Sequence, residues 1–322
     1  MPKQLTQHPI NFIVDHNNHA LRLDQVLARN YPEFSRNRWQ DAINAGTVLL
    51  NGAAAKSKSL VCAGDQITGV LTQEIQTEDS AQNLPLNILY ADDDIIVINK
   101  PAGLVVHPAV GNHDNTLLNA LLYHFPQTKH LPRSGIVHRL DKDTSGAMVI
   151  AHSARAHTDL VRQLQNRSMG RIYLALVYGY ITAGDTIDLP IGRHAKDRLK
   201  MAVRPDGKPA ITHYRIEERW QTLTLLRVQL ETGRTHQIRV HLSHHRHPLV
   251  GDKLYGARPF LASSLTELQR QALAEFPRQA LHAVELHLHH PATNEIMRFT
   301  APLPDDMTQL FTILRAQNPQ TP

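Results

Sequence analysis

The residues best able to do chemistry lie in Gly135-Ile136-Val137-His138-Arg139-Leu140-Asp141-Lys142-Asp143-Thr144-Ser145-Gly146. The first half alternates apolar and polar residues, which predicts a short buried strand. It breaks into a turn rich in Asp, Thr, Ser and Gly, and the chain resumes as the apolar run Ala147-Met148-Val149-Ile150-Ala151. Asp141 would then stand at the end of a rigid strand, flanked by Arg139 and Lys142. A carboxylate so placed can stabilise a developing positive charge or trap it covalently. Taken alone, the turn is equally a solvated surface feature, because turn chemistry accounts for each of its residues.

Other candidates are scattered along the chain. Arg171-Ile172-Tyr173-Leu174-Ala175-Leu176-Val177 alternates as a strand, in which Tyr173 alone would be an ordinary core or edge tyrosine. The strands His213–Ile216 and Leu223–Leu230 lead into Glu231-Thr232-Gly233-Arg234-Thr235-His236-Gln237-Ile238-Arg239-Val240-His241-Leu242. His241, His244, His245 and His247 have spacings that can bind metal, but no H-E-x-x-H and no carboxylate partner accompany them, so no metal is expected. A glycoside hydrolase needs two placed carboxylates, and only Asp141 stands out. The absence of a Rossmann or P-loop glycine pattern gives no reason to expect a nucleotide cofactor.

The elements that must position these residues need a chain of some size. Its 322 residues allow a small domain and a larger one with a full core, and 42% hydrophobic with 20% charged residues is ordinary for a globular protein. A net charge of +5 permits a nucleic-acid partner without proving one. One cysteine, Cys62, excludes an internal disulfide framework. No apolar run has membrane-spanning length and no signal peptide opens the chain, so a cytoplasmic protein is expected.

Met1 to about Phe12 is polar without a period and is expected to be a tail or a loosely attached strand. Leu23, Val26 and Leu27 mark a first helix that Tyr31-Pro32 ends; Ser35 can cap a second, Arg36 to Ala45, closed by Gly46. Val48-Leu49-Leu50 then meets Asn51-Gly52, a hairpin signal, and Gly64-Asp65 turns the chain into Ile67–Val70. This unit, residues 12–75, carries Arg22, Arg29, Arg36, Arg38, Lys56 and Lys58, which could follow phosphates or simply form a solvated face. A polar linker is expected over 76–85, and the larger domain over 86–322. There Ile95–Lys100 predicts a buried strand with Leu104–Pro108 as its neighbour, and helices are expected over Thr116–Phe125 and from the Ser153 cap to Asn166. Basic residues from Arg193 to Lys208 predict an exposed loop; a helix over Leu265–Phe276, two strands and a helix over Asp306–Ala316 complete the chain.

Several of these strings together resemble the RluA-type pseudouridine synthases, nearest to the RluD-type subgroup that acts on large-subunit ribosomal RNA. They are H-R-L-D at Asp141, N-K-P-x-G-x-x-V-H-P at Asn99–Pro108, R-x-Y-x-A at Tyr173, G-R-T-H-Q-I-R ending at Arg239, and Gly251-Asp252-Lys253-Leu254-Tyr255-Gly256. The small unit, with R-L-D opening its first helix and V-x-x-N-G after its second, resembles the S4 RNA-binding domain. The resemblance implies an α+β fold: a mainly antiparallel mixed-sheet catalytic domain preceded by a small α/β S4 domain. It implies isomerisation of uridine to pseudouridine in 23S ribosomal RNA, in the helix 69 stem-loop by analogy. The partner would be that RNA or the assembling large subunit, with no DNA, membrane or cofactor involved. It further implies Asp141 as catalytic carboxylate, Arg239 as its partner and Tyr173 as an active-site residue. Ile238, His138, Arg139 and Arg234 would lie near the base or the RNA, and Arg22, Arg36, Arg38 and Lys56 would contact RNA from the small domain. Arg139 could fill the stack vacated by a flipped base or clamp a phosphate. A noncatalytic S4-type RNA-binding protein is the main rival reading.

Overall fold

The computed structural model describes residues 5–31, 34, 36–74, 80–108, 112–220, 222–256 and 265–316. The chain divides into two compact units, Met1–Glu78 and Asp79–Pro322. Among the described residues no helix is long and apolar enough to cross a membrane.

The small unit runs β1 (Leu5–Ile13), α1 (Leu23–Asn30), α2 (Arg36–Asn44), β2 (Val48–Leu50), β3 (Ala53–Ala54) and β4 (Gln66–Glu74). Its sheet has the order β1-β4-β2-β3. Leu23, Val26 and Leu27 of α1 meet Trp39 and Ile43 of α2 over this sheet, as their helical spacing predicts. Asn51 and Gly52 both adopt left-handed backbone (φ 53° and 76°), the geometry a two-residue hairpin turn demands. The N-terminal stretch is neither a tail nor loosely attached. β1 pairs with β4 along its whole length, and Ile10 is buried in the core, so the unit begins well before residue 12. Sparse apolar positions hid this strand, whose stability comes from its ladder and not from a hydrophobic period. Ser35 lies outside the described residues.

The large unit contains β5 (Ile88–Ala91), β6 (Ile95–Lys100), α3 (Leu117–His124), β7 (Ser145–Ala151), α4 (Ala154–Gln165), β8 (Gly170–Tyr178) and β9 (Asp185–Asp188). It continues with β10 (Ile191–Arg193), β11 (Met201–Val203), β12 (Ile211–Arg219), β13 (Leu223–Leu230), α5 (Gln237–His244), α6 (Glu267–Glu275), β14 (Leu281–His289), β15 (Ile296–Thr300) and α7 (Asp305–Arg315). One sheet of nine strands runs β5-β6-β7-β14-β8-β13-β12-β9, with β15 also on β14. Every pairing in it is antiparallel except β7 with β14. Period-two side chains feed both faces. Tyr173, Ala175 and Val177 of β8 join α3 and α5 on one face, while Leu174 and Leu176 join α6 and α7 on the other. α4 covers Val97 and Val149.

Four expectations change here. Gly135–Leu140 is not a strand. Residues 133 and 134 turn with positive φ, and a single bridge, Ile136 to Ile150, is all the pairing that follows. β14 pairs with β7 only at Ser145 and Gly146, so the edge of β7 beyond them is open, yet the left-handed turn at 133 and 134 lets the segment meet it at that one bridge alone. Asp141 therefore stands in an irregular segment just before β7. Leu104–Pro108 likewise makes only one bridge, Val105 to Thr116. The part of the expected linker that is described is docked on the large unit. Asn119 Nδ2 donates to Ser80 O at 2.8 Å, and Gln82 N to Asn119 O at 2.9 Å. Within the expected basic loop, β10 and β11 form a short hairpin.

The junction of β7 with β14 needs a glycine. Gly146 has φ +119°, and a Cβ there would stand 2.2 Å from the backbone oxygen of Ala283. Gly146→Ala should combine backbone strain with steric overlap at a cost of about 3 kcal/mol or more. The melting midpoint of the protein should fall by roughly 6–12 °C in calorimetry; a midpoint within a degree of wild type would show that β14 moves away freely.

Candidate active site

The turn that presents Asp141 is pinned through its own backbone. Lys100, at the end of β6, has its Nζ fully buried and donates to Pro101 O (2.8 Å), Leu104 O (2.9 Å) and Lys142 O (2.9 Å). Burial pulls its pKa down to about 7, against the pull of Asp141 and Asp143. Three carbonyl acceptors need three N–H donors, which only the ammonium form supplies, so the geometry argues for a charged lysine. From the other side, Arg278 Nη1 donates to Asp143 O at 3.1 Å while its Nε and Nη2 grip Asp306 (2.7 and 2.8 Å). Asp141 thus has a fixed backbone without being in a strand.

Its carboxylate meets α5. Arg239 Nη1 donates to Asp141 Oδ2 at 3.0 Å. The rest of the guanidinium is held bidentately by Asp252, with Nε to Oδ2 at 2.7 Å and Nη2 to Oδ1 at 2.9 Å. Asp252 also accepts the N–H groups of Leu254 (2.9 Å) and Tyr255 (3.1 Å). Burial alone would raise the Asp252 pKa, but Arg239 and these N–H groups outweigh it and hold the acid below the usual range. Burial works against the Arg239 charge, yet Asp252 and Asp141 together raise its pKa above the ordinary value. The Tyr255 ring lies beneath this guanidinium, 5.0 Å from its carbon.

His236 stands near the same carboxylate without a hydrogen bond to it. The Tyr255 hydroxyl accepts Met201 N–H at 2.7 Å and is hydrogen-bonded to His236 Nδ1, also at 2.7 Å. His236 Nε2 lies 4.0 Å from Asp141 Oδ1. Burial lowers the His236 pKa, with Asp141 pulling the other way. His236 holds a left-handed φ of 57° at the start of α5, the kind of local strain that collects at working sites.

A cavity of about 570 Å³ opens beside this carboxylate. Tyr173, Ile238 and Leu140 form its apolar lining, and Arg139, His107 and Arg234 lie at its polar edges. Tyr173 is 5% exposed. Burial raises its hydroxyl pKa, Arg171 lowers it and Asp141 raises it, for a net upward shift. Arg139 is exposed, and Arg234 donates through Nε to Pro209 O at 3.0 Å. His138 lines the same cavity, but its Nε2 accepts Val149 N–H at 3.0 Å. Burial and then Arg171 push its pKa down to about 3, so the ring is neutral and its first task is to satisfy the β7 backbone.

The structure therefore brings Asp141, Tyr173, Arg239, Ile238, His138, Arg139 and Arg234 to one cavity. The basic residues of the small unit are less free than their charge suggests. Asp24, fully buried, accepts from Arg22 (3.1 and 2.9 Å), Arg36 (3.0 and 3.2 Å) and Gln40 (2.6 Å). Arg36 and Gln40 thus anchor α2 to α1 while Arg22 braces Asp24 from the start of α1, and both arginines keep part of the guanidinium in solvent. Arg38 is half-buried and Lys56 exposed. His241 has both ring nitrogens engaged, by Thr212 Oγ1 and Leu189 O at 2.9 Å each, which leaves none for a metal.

A model of the RNA pseudouridylate synthases matches residues 94–244, and one of the S4 domain matches residues 21–67. A ribosomal large subunit pseudouridine synthase D of Pseudomonas aeruginosa is 54% identical over 91% of this chain and 92% of its own length. The Haemophilus influenzae protein of the same name is 53% identical over 92% of this chain and 91% of its own. This chain belongs to the RNA pseudouridine synthase family. Among solved structures, human RNA pseudouridylate synthase domain containing 4 superposes with a TM-score of 0.56 at 27% identity, over 71% of this chain and 93% of that one. The synthase is thus an RNA-modifying isomerase with an S4 domain, and its large unit is a mixed, mainly antiparallel α+β fold.

Sequence reasoning missed Asp252, His236 and Tyr255 as neighbours of Arg239 and Asp141 in the candidate site. Asp252 and Tyr255 sat in a string read only for its turn character, and nothing in it shows that the turn folds back on Arg239. Asp252→Asn keeps the shape but removes the charge opposite a buried guanidinium. Breaking such a pair should cost about 3–5 kcal/mol in denaturant unfolding, with slower single-turnover isomerisation. Stability and rate both equal to wild type would show that Asp141 alone holds Arg239.

Proposed function

We propose that this synthase isomerises uridines of large-subunit ribosomal RNA, with Asp141 as its catalytic carboxylate. The observation that carries the proposal is an aspartate ion-paired to a buried arginine at the wall of a cavity that also holds a tyrosine face. The substrate class follows the names of the relatives, and the helix 69 stem-loop of 23S RNA follows the subgroup resemblance.

The target uridine must leave its stack to enter the cavity, at a cost of a few kcal/mol. Arg139 stands exposed at the rim, where its planar guanidinium can fill the vacated space or hold a phosphate. Inside, Tyr173 offers its ring to the uracil and Ile238 packs beside it. Asp141 acts at the ribose, by bonding to C1′ or by removing a ribose proton, and in both routes the C1′–N1 bond breaks. The base turns and C5 bonds to C1′. Arg239 aims the Asp141 carboxylate through its hydrogen bond. Because burial disfavours the Tyr173 phenolate, its hydroxyl assists loss of the C5 proton as a relay, accepting one proton while passing on another. In the small domain, Arg22, Arg36, Arg38 and Lys56 contribute phosphate contacts whose strength falls as salt rises.

Asp141→Asn should abolish pseudouridine formation while RNA binding persists, as read by nucleoside analysis of ribosomal RNA and by filter binding. Turnover above a few per cent of wild type would remove Asp141 from the chemistry. Tyr173→Phe keeps a stacking face worth ~1–3 kcal/mol per base and deletes the hydroxyl. It should bind normally and stall after glycosidic cleavage in single turnover; product release at the wild-type rate would leave Tyr173 as a stacking residue only.

A further inference from the structure

Arg171 enters the cavity without a counter-charge. It lies on β8 two residues before Tyr173, hence on the same face of the strand, and it is 7% exposed. Its Nε is buried with no acceptor, and its Nη2 donates only to the backbone oxygen of Glu231 at 3.2 Å. Among the described residues no carboxylate pairs with it. The Glu231 carboxylate is committed elsewhere, to Arg167 and to His213 Nε2. Room for the guanidinium is made by Gly233, where a Cβ would stand 2.6 Å from Arg171 Nη1. Burying a cation this way is costly unless an anion completes the site. Arg239, by contrast, already has two carboxylates.

The reaction proposed above generates such an anion, and the inference rests on that reading. When C1′–N1 breaks, the bonding pair leaves with the base and spreads over N1, O2 and O4. This holds whether Asp141 bonds to C1′ or first takes a ribose proton. We propose that Arg171 stabilises this uracil anion through its O2 or O4 oxygen and retains the detached base by charge while it turns. Arg171 transfers no proton. Forming the C5–C1′ bond consumes the pair, Asp141 returns to its carboxylate, and the C5 proton passes in net terms to N1. A backbone phosphate is the other anionic oxygen the RNA brings. Phosphates belong at the rim, beside exposed Arg139 and Arg133, whereas Arg171 lies at depth beside Tyr173.

The test compares two leaving groups on the same enzyme preparations. Ribosomal RNA stem-loops carry uridine or 5-fluorouridine at the target, and loss of that nucleoside is followed in single turnover. Fluorine lowers the energy of the uracil anion, so less help is needed from the protein. Arg171→Gln should slow uridine cleavage by about 10²- to 10³-fold with RNA affinity unchanged, and Arg171→Lys by less. With 5-fluorouridine the Arg171→Gln loss should shrink by at least about tenfold, as a leaving-group dependence requires. Partial misfolding would scale both substrates equally and cannot mimic this. An equal loss on both bases overturns the inference. So does a loss confined to affinity that disappears when the phosphates flanking the target are replaced by neutral methylphosphonates, which assigns Arg171 to the backbone. If wild-type enzyme forms no pseudouridine in this RNA, the substrate reading fails instead.

Discussion

The ion pair between Asp141 and Arg239 depends on a third group, and much of the large unit exists to bring the three together. Asp252 holds two of the three guanidinium nitrogens and leaves one, Nη1, for Asp141. A planar fork gripped on one edge has its other edge aimed, which an ammonium could not achieve. Asp252 is in turn oriented by backbone N–H groups of its own turn. Two carboxylates around one guanidinium also leave the cluster with a net negative charge at the wall of the cavity, which suits the role proposed for Asp141 at C1′.

The opposite requirement, a fixed backbone for Asp141 itself, is met without regular structure. Buried Lys100 and Arg278 seize the carbonyl groups of Lys142 and Asp143, and Gly146 lets β7 approach β14 in the single parallel pairing of the sheet. Side-chain cations bonded to main-chain oxygens replace the ladder that a strand would have provided. The same sheet sets β8 next to β14, so Tyr173 and Arg171 arrive at the cavity on a rigid support.

Much of this was legible in the sequence. The helices α1, α3, α4 and α7 follow from helical spacing and end signals, and the strands β6, β8 and β13 from short apolar runs that the sheet buries on both faces. Asp141, Arg239 and Tyr173 could be picked out through motif strings, and the structure brings them to one cavity. What periodicity could not show was held by other forces. β1 is held by its ladder, and the segment before Asp141 by side-chain to backbone bonds. Asp252 and His236 act through contacts between distant or locally strained positions. Charge told only part of the story. Arg22 and Arg36 read as a basic RNA-facing pair, yet both close on buried Asp24, an arrangement that only the fold discloses.

The central claim is that Asp252, Arg239 and Asp141 act as one unit, and a double-mutant cycle tests it most directly. Single-turnover isomerisation rates would be measured for Arg239→Gln, Asp252→Asn and the double variant under one set of conditions. If Asp252 works only through Arg239, the double variant should be no slower than Arg239→Gln, with strong non-additivity in ΔΔG‡. Losses that simply add would mean the two residues act independently, and the linked chain of charges would not be the basis of this site.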